Sequence, residues 1–256
     1  MKIAITREVS PALATCELSF VARTPIDVER AQAQHDAYCG ALESLGCEVI
    51  RLPAEPGLPD SVFVEDVALA FDEVAIATRP GAASRREEGR AVHEVLGSMR
   101  QLLRIEAPGT LDGGDVLRIG KQVFVGASAR SNAEGRAQLR ALLAPFGYSV
   151  SDVVTCDCLH LKSAVTQVAE GTVLINPAWL VDPSQFAGFR QIEVDPMEEH
   201  AANAVRVGDA LVYPDCFPNT LARLRDAGIR VQTVDVSELQ KAEGAVTCCS
   251  ILLSAG

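Results

Sequence analysis

The stretch Ser61–Pro108, SVFVEDVALAFDEVAIATRPGAASRREEGRAVHEVLGSMRQLLRIEAP, sets the pattern for the whole chain. An apolar run, Val62, Phe63 and Val64, leads past acidic Glu65 and Asp66 to a second run, Val67–Phe71. Asp72 and Glu73 signal a turn, and Val74–Thr78 reads as the partner strand. Ser84 with Glu87 reads as a capping box, and Ala91, Val95, Leu96 and Met99 share one face of the helix behind it. Leu102–Ile105 reads as a closing strand.

The same order recurs. Asp115–Ile119 and Gln122–Gly126 read as two strands, Ser131 with Glu134 as a second capping box, Leu139, Leu142 and Leu143 as a helix face, and Ser149–Val154 as the third strand. A third unit runs from Leu161–Val168 through Thr172–Ile175 to Gln191–Val194, with a weak helix near Phe186. A fourth takes Ala204–Val207, Ala210–Tyr213, a helix around Leu221–Ala227, and Ile229–Val234. The fifth is split between the termini: Thr247–Leu253 and Lys2–Thr6 are its strands, Ile26–Leu45 its helix, and Glu48–Leu52 its last strand. Five ββαβ units that use the whole chain imply a closed ring with the two ends stitched into one unit, an α/β fold in a single domain over residues 1–256. The competing topology is an open, doubly wound sheet.

The composition fits this reading. A formal charge of -11, from 23 Lys and Arg against 34 Asp and Glu, excludes a nucleic-acid binder and suits a cationic partner. No apolar run is long enough to span a membrane, and the start MKIAITREVS is too short for a signal-peptide core, so a cytoplasmic protein is expected. The eight cysteines are then expected as reduced thiols, most of them small buried apolar groups.

The repeat puts Asp66, Asp112, His160, Asn203 and Cys248 at equivalent points, spaced by ~45 residues. In a ring they would converge on the axis. Cys with His supplies a nucleophile and a proton carrier, and a carboxylate can hold the imidazole in its working tautomer. A second carboxylate can receive a cation through charge-assisted hydrogen bonds. Those parts suit attack on a guanidinium carbon. Glu65 and Asp66 are adjacent, so only one can face the centre, and Asp66 is the expected one. Arg85 and Arg130 stand beside the two presumed caps, where a helix dipole does not favour a cation, so they are candidates for holding a substrate carboxylate. Zinc is the alternative chemistry, since Cys156, Cys158 and His160 crowd together. The C-x-C spacing is too tight for a usual structural site, so no metal is expected.

Five segments carry a resemblance: LPDSVFVED (58–66), TRPG (78–81) with Ser84-Arg85-Arg86, TLDGGDV (110–116), LHLKS (159–163) and TCCS (247–250). In this order and spacing the chain resembles, over essentially its whole length, the dimethylarginine dimethylaminohydrolases of the guanidine-modifying superfamily, which also holds the arginine deiminases. The resemblance implies a five-bladed pseudo-symmetric α/β propeller and no cofactor. It implies Cys248 as nucleophile, His160 as general acid and base, and Asp112 as the carboxylate that orients it and meets the guanidinium. It further implies Asp66 on the guanidinium nitrogens; Asp60, Arg85 and Arg130 on the amino-acid end; Phe63 lining the pocket; Leu18 on a mobile lid; and Glu65 and the backbone of Ala242 at further binding positions. Asn203 has no counterpart role. The implied activity is hydrolysis of Nω-methylated arginines to citrulline by a monomer or homodimer. A deiminase acting on another guanidine and a non-catalytic arginine-binding protein remain as alternatives.

Overall fold

A computed structural model describes residues Lys2–Ser254. The elements, in chain order, are β1 (Lys2–Arg7), α1 (Val28–Ser44), β2 (Cys47–Leu52), β3 (Ala68–Ala70), β4 (Val74–Ala77), α2 (Arg90–Met99), β5 (Gln101–Arg104), β6 (Val116–Ile119), β7 (Gln122–Gly126), α3 (Ala133–Leu143) and β8 (Ser149–Val153). They continue as α4 (Leu161–Ala164), β9 (Val165–Ala169), β10 (Thr172–Ile175), β11 (Arg190–Glu193), β12 (Val205–Val207), β13 (Ala210–Pro214), α5 (Pro218–Asp226), β14 (Arg230–Val234), α6 (Ser237–Gln240) and β15 (Ile251–Ser254).

The strands form five sheets of three: β3-β4-β5, β6-β7-β8, β9-β10-β11, β12-β13-β14 and β15-β1-β2. In each sheet the first two strands pair antiparallel and the last two parallel. The parallel step needs a crossover, which in four sheets is an α-helix. The third sheet crosses by the short 3₁₀ turn Pro183–Phe186 instead of the weak helix expected there; Asp182 caps it and Phe186 is fully buried. The first strands touch across sheet boundaries, β15 against β3, β6 against β9 and β9 against β12, so they line the centre of the ring. The fold is the five-bladed α/β propeller, and the terminal strands share one blade as the repeat implied.

Five apolar clusters hold the ring, one in each seam between blades. Ile5 meets Leu96, Ile76 meets the cluster of Val125 and Leu139, Phe124 that of Val173, Leu174 that of Leu211, and Val212 that of Leu42. Each such side chain contributes roughly 1.5–3 kcal/mol by leaving water, so closure is distributed around the ring and not concentrated in one core.

Several local readings are corrected. Glu65 and Asp66 do not alternate along a strand: Val64–Val67 forms a 3₁₀ turn whose four residues are all buried. Ser84 caps no helix. It lies inside the 3₁₀ turn Ala83–Arg85, and α2 starts later, behind Gly89, with no side-chain cap. The cap of α3 is Asn132, whose side chain accepts from Gly135 N at 2.8 Å; Ser131 is turned inward to Asp115. The segments ahead of β9 and β15 are also turns, not strand, as α4 and the Thr247–Ser250 turn show. Among the described residues no helix is long and apolar enough to cross a membrane.

Candidate active site

Asp66, Asp112, His160, Asn203 and Cys248 each lie just ahead of the innermost strand of a blade, namely β3, β6, β9, β12 and β15. The pseudo-symmetry therefore carries all five to one end of the central axis. The turns there replace strand because an extended chain would run past the axis, whereas a tight turn can aim a side chain across it.

His160 stands between the two carboxylates. Its Nε2 is 3.1 Å from Asp112 Oδ2, and its Nδ1 is 3.9 Å from Asp66 Oδ1. Asp112 is fully buried; its other oxygen accepts from Gly81 N at 2.8 Å. Asp66 accepts from Gly114 N at 2.9 Å and from Arg85 Nη1 at 2.7 Å. The glycine pair in the 110–116 segment follows from these approaches. A Cβ on Gly113 would lie 1.9 Å from Glu65 O, and one on Gly114 2.4 Å from His160 Nδ1 and 2.9 Å from Asp66 Oδ1. Only glycine lets the three blades close on the imidazole.

Burial opposes charge on His160, but Asp66, the hydrogen bond that His160 donates to Asp112 and the field of Asp115 outweigh it, raising the imidazolium to about 9. Burial likewise opposes the Asp66 anion, yet His160 and Arg85 hold its carboxyl below the usual range. Cys248 is pushed up to about 12 by burial and by Glu65 and Asp66. The surroundings thus favour the thiol over the thiolate and the imidazolium over the neutral imidazole.

Cys248, His160, Asp66, Asp60, Phe63, Arg85, Arg130 and the backbone-bearing Ala242 line one small pocket of about 20 Å³. Cys249 instead packs into the core with its thiol toward Ala245 O, so the pair divides into one pocket thiol and one core thiol. Leu18 packs against the apolar cluster that holds Phe63, Ala242 and Cys248, and its segment covers the pocket. That lid is tied at both ends. Glu17 N donates to Asp60 Oδ2 at 3.0 Å, Arg130 Nη2 donates to Ser19 Oγ at 3.0 Å, and the amides of Ser19, Phe20 and Val21 all donate to Glu243. A volume of about 20 Å³ has room for a water and not for an amino acid.

Two expected binding residues sit differently from the expectation. The Glu65 carboxylate turns away from the pocket, to Lys162 Nζ and Thr247 Oγ1, and lines a separate cavity of about 480 Å³ at the other end of the axis. Only its amide reaches the thiol side, donating to Cys248 O at 3.1 Å. Arg85 is a buried strut more than an exposed clamp: besides Asp66 it donates from Nε and Nη2 to Glu88, at 3.0 and 2.9 Å. The capping argument that singled out Arg85 and Arg130 fails, since neither flanks a true cap, although both reach the pocket.

Glu88 and Asp115 were missed in the sequence. Burial raises the Glu88 carboxyl to about 7 despite Arg85. Asp115 is fully buried; it accepts from Leu161 N at 3.0 Å and from Ser131 Oγ at 2.6 Å, which joins the Asp112 and His160 loops. Its signal was its place three residues after Asp112, in one tight turn. The Cys156 and Cys158 thiols face separate carbonyls, Ala178 O and His160 O. The donors that do converge are Asp66, Asp112 and His160, within 4.8 Å of one another. Their carboxylate oxygens already accept hydrogen bonds from protein groups, which suits a flat, hydrogen-bonding cation better than a metal ion.

The chain is 41% identical over 254 residues to an N(G),N(G)-dimethylarginine dimethylaminohydrolase of Streptomyces coelicolor, covering 98% of this chain and 97% of the relative. It is 38% identical to the enzyme of the same name from Pseudomonas aeruginosa, over 88% of this chain and 89% of that one. Among solved structures, a cysteine-to-serine variant of the Pseudomonas aeruginosa protein complexed with citrulline superposes with a TM-score of 0.93 at 35% identity, covering 98% of each chain. The N-terminal domain of ArgZ, a cyanobacterial arginine dihydrolase, shares the fold alone, at 18% identity and a TM-score of 0.84. No protein-family model matches the chain. The chain belongs to the dimethylarginine dimethylaminohydrolase family and is a hydrolase acting on C–N bonds of linear amidines.

Proposed function

We propose that this enzyme hydrolyses asymmetric dimethylarginine and monomethylarginine to citrulline and dimethylamine or methylamine, through a covalent thiouronium on Cys248. The observation that carries this reading is the pocket itself: the Cys248 thiol and the His160 imidazole line it beside the carboxylates of Asp60 and Asp66, with Asp112 hydrogen-bonded to the imidazole behind them. Burial, with Glu65 and Asp66 nearby, disfavours ionisation of this thiol. A guanidinium held by Asp66 and Asp112 reverses the local field, lowers the thiol pKa and so supplies the activation that the empty site lacks.

With the cation bound, the Cys248 thiol releases its proton to solvent, and the thiolate adds to the guanidinium carbon, forming a C–S bond as a C=N pair moves onto nitrogen. The bond to the methylated nitrogen then breaks as His160 gives it a proton, and the amine leaves. His160, now neutral, takes a proton from water. The hydroxide adds to the same carbon, the C–S bond breaks as the ureido carbonyl forms, and the proton lost by the added hydroxyl restores the thiol while citrulline departs. Alignment by Asp66 and Asp112 is catalysis by position and field. Asp60 accepts the substrate's ammonium, and Arg130, with the remaining Arg85 N–H, meets its carboxylate once the lid contacts to Glu17 and Ser19 open. Ala242 offers its backbone beside them. The relatives solved with citrulline and as an S-methyl-L-thiocitrulline adduct support a ligand of this shape. An acidic cytoplasmic monomer or homodimer acting on a small cation needs no nucleic acid, membrane or cofactor.

Citrulline release from arginine, monomethylarginine and both dimethylarginines tests the assignment. Turnover of the monomethyl and asymmetric dimethyl substrates, well above that of arginine, is expected. Turnover of arginine alone would make the enzyme a deiminase, and labelling without any turnover would make it a binder.

A further inference from the structure

Four of the five residues in register have a place in this chemistry, and the fourth blade's Asn203 has none. It is buried, yet it reaches no pocket atom. It binds both neighbouring blades instead. Its Oδ1 accepts from Thr247 N at 3.0 Å, and its Nδ2 donates to Thr247 Oγ1 at 2.9 Å and to Lys162 O at 3.0 Å. Thr247 immediately precedes Cys248, and Lys162 follows His160 by two residues in the turn that His160 opens.

The contacts form a closed circuit. The Thr247 hydroxyl, accepting from Asn203, donates to Glu65 Oε2 at 2.8 Å; the other Glu65 oxygen pairs with Lys162 Nζ; and the Lys162 carbonyl returns to Asn203. Glu65 N also donates to Cys248 O, so the cysteine is held through Thr247 on one side and its own carbonyl on the other. The side chain must supply one acceptor and two donors in a plane, which an amide does and no hydroxyl or carboxylate can. Its orientation is fixed, because Thr247 N can only donate and Lys162 O can only accept.

We propose that Asn203 is a positioning residue, setting the distance and direction of the Cys248 thiol relative to His160. This inference rests on Cys248 and His160 as the reacting pair, and not on which guanidine the enzyme consumes. Asn203→Asp keeps the shape but loses both donated bonds and sets an anionic oxygen 3.0 Å from Lys162 O. Asn203→Ala removes the strut. Thr247→Ser keeps both the amide and the hydroxyl that Asn203 holds.

The test compares these three variants with the wild type by citrulline kinetics, thermal melting and the rate at which 2-chloroacetamidine alkylates Cys248. The last reads the thiol, the imidazole and the carboxylates without a methylarginine. Displacement of a reacting group by about 1 Å costs on the order of 10²-fold, so Asn203→Ala and Asn203→Asp are expected to lose about that in kcat and in alkylation, with KM within about threefold. Thr247→Ser is expected to stay within about fivefold of wild type in both, since its hydrogen bonds persist. Should Asn203→Ala not fold, the isosteric Asp variant carries the comparison. Wild-type kcat and alkylation rate per folded molecule in either Asn203 variant would overturn the proposal, leaving a purely structural amide. Slower alkylation in a background that makes no citrulline from any methylarginine would support the strut and refute the substrate.

Discussion

Replacing Cys248 by serine is expected to lower citrulline formation by at least about 10⁴-fold, because in the proposed mechanism it removes the nucleophile itself and not a contact to it. A serine hydroxyl is far harder to ionise than a thiol, and no carboxylate or imidazole here is arranged to take its proton: His160 is already cationic, with its charge held by Asp66 and Asp112. Binding survives, since Asp60, Asp66, Arg85 and Arg130 are untouched, so the variant is expected to retain substrate with a near-native dissociation constant. Cys249→Ser, by contrast, is expected to turn over at close to the wild-type rate, because that thiol points to Ala245 O within the core. Steady-state kinetics with equilibrium binding checks both. An active Cys248→Ser enzyme would remove the cysteine from the mechanism.

Asp66→Asn is expected to fail in two ways at once. The carboxylate pairs with Arg85 Nη1 at 2.7 Å and accepts from Gly114 N at 2.9 Å, all buried. An amide of the same shape must turn its NH₂ toward one of those donors, so one hydrogen bond becomes a clash of like groups whichever way it faces. Breaking a buried charged pair by changing one partner costs about 3–5 kcal/mol, so the melting temperature should fall clearly, with Glu88 left as the remaining anion on Arg85. Catalysis suffers further. The guanidinium loses a charge-assisted partner, and the imidazolium loses the largest influence that raises it, so kcat/KM should fall by about 10³-fold or more. Melting and kinetics measured together separate the two effects. A stable variant with wild-type kcat/KM would show that Asp66 neither anchors Arg85 nor receives the cation.

The ring was legible because its signal is local and repeated. Each blade needs two adjacent strands, a crossover and a third strand, and patterns such as Gln122–Gly126 and Thr172–Ile175 stand at the observed bounds. The five polar residues in register were legible for the same reason, since pseudo-symmetry puts equivalent positions at equivalent places. The turns that aim them were not. Val62–Val67 has the apolar content of a strand, and only the need to send Asp66 inward and the Glu65 carboxylate toward Lys162 makes it a 3₁₀ turn. Ser84 and Ser131 looked like caps because the capping pattern is short; in the fold Ser131 serves Asp115 and Asp112 N, while Ser84 reaches Glu17 on the lid. Arg85 reaches the pocket without flanking a cap, and its partner Glu88 lies three residues on. Buried polar networks join residues far apart in sequence, so no local pattern announces them.

The most direct test of the central claim is the mass of the protein quenched in acid during turnover of asymmetric dimethylarginine, followed by mapping of the modified peptide. The account predicts a thiouronium adduct, formed with loss of dimethylamine, on Cys248 and on no other of the eight cysteines. Citrulline produced with no covalent species at any quench time, or an adduct on Cys249, would contradict it.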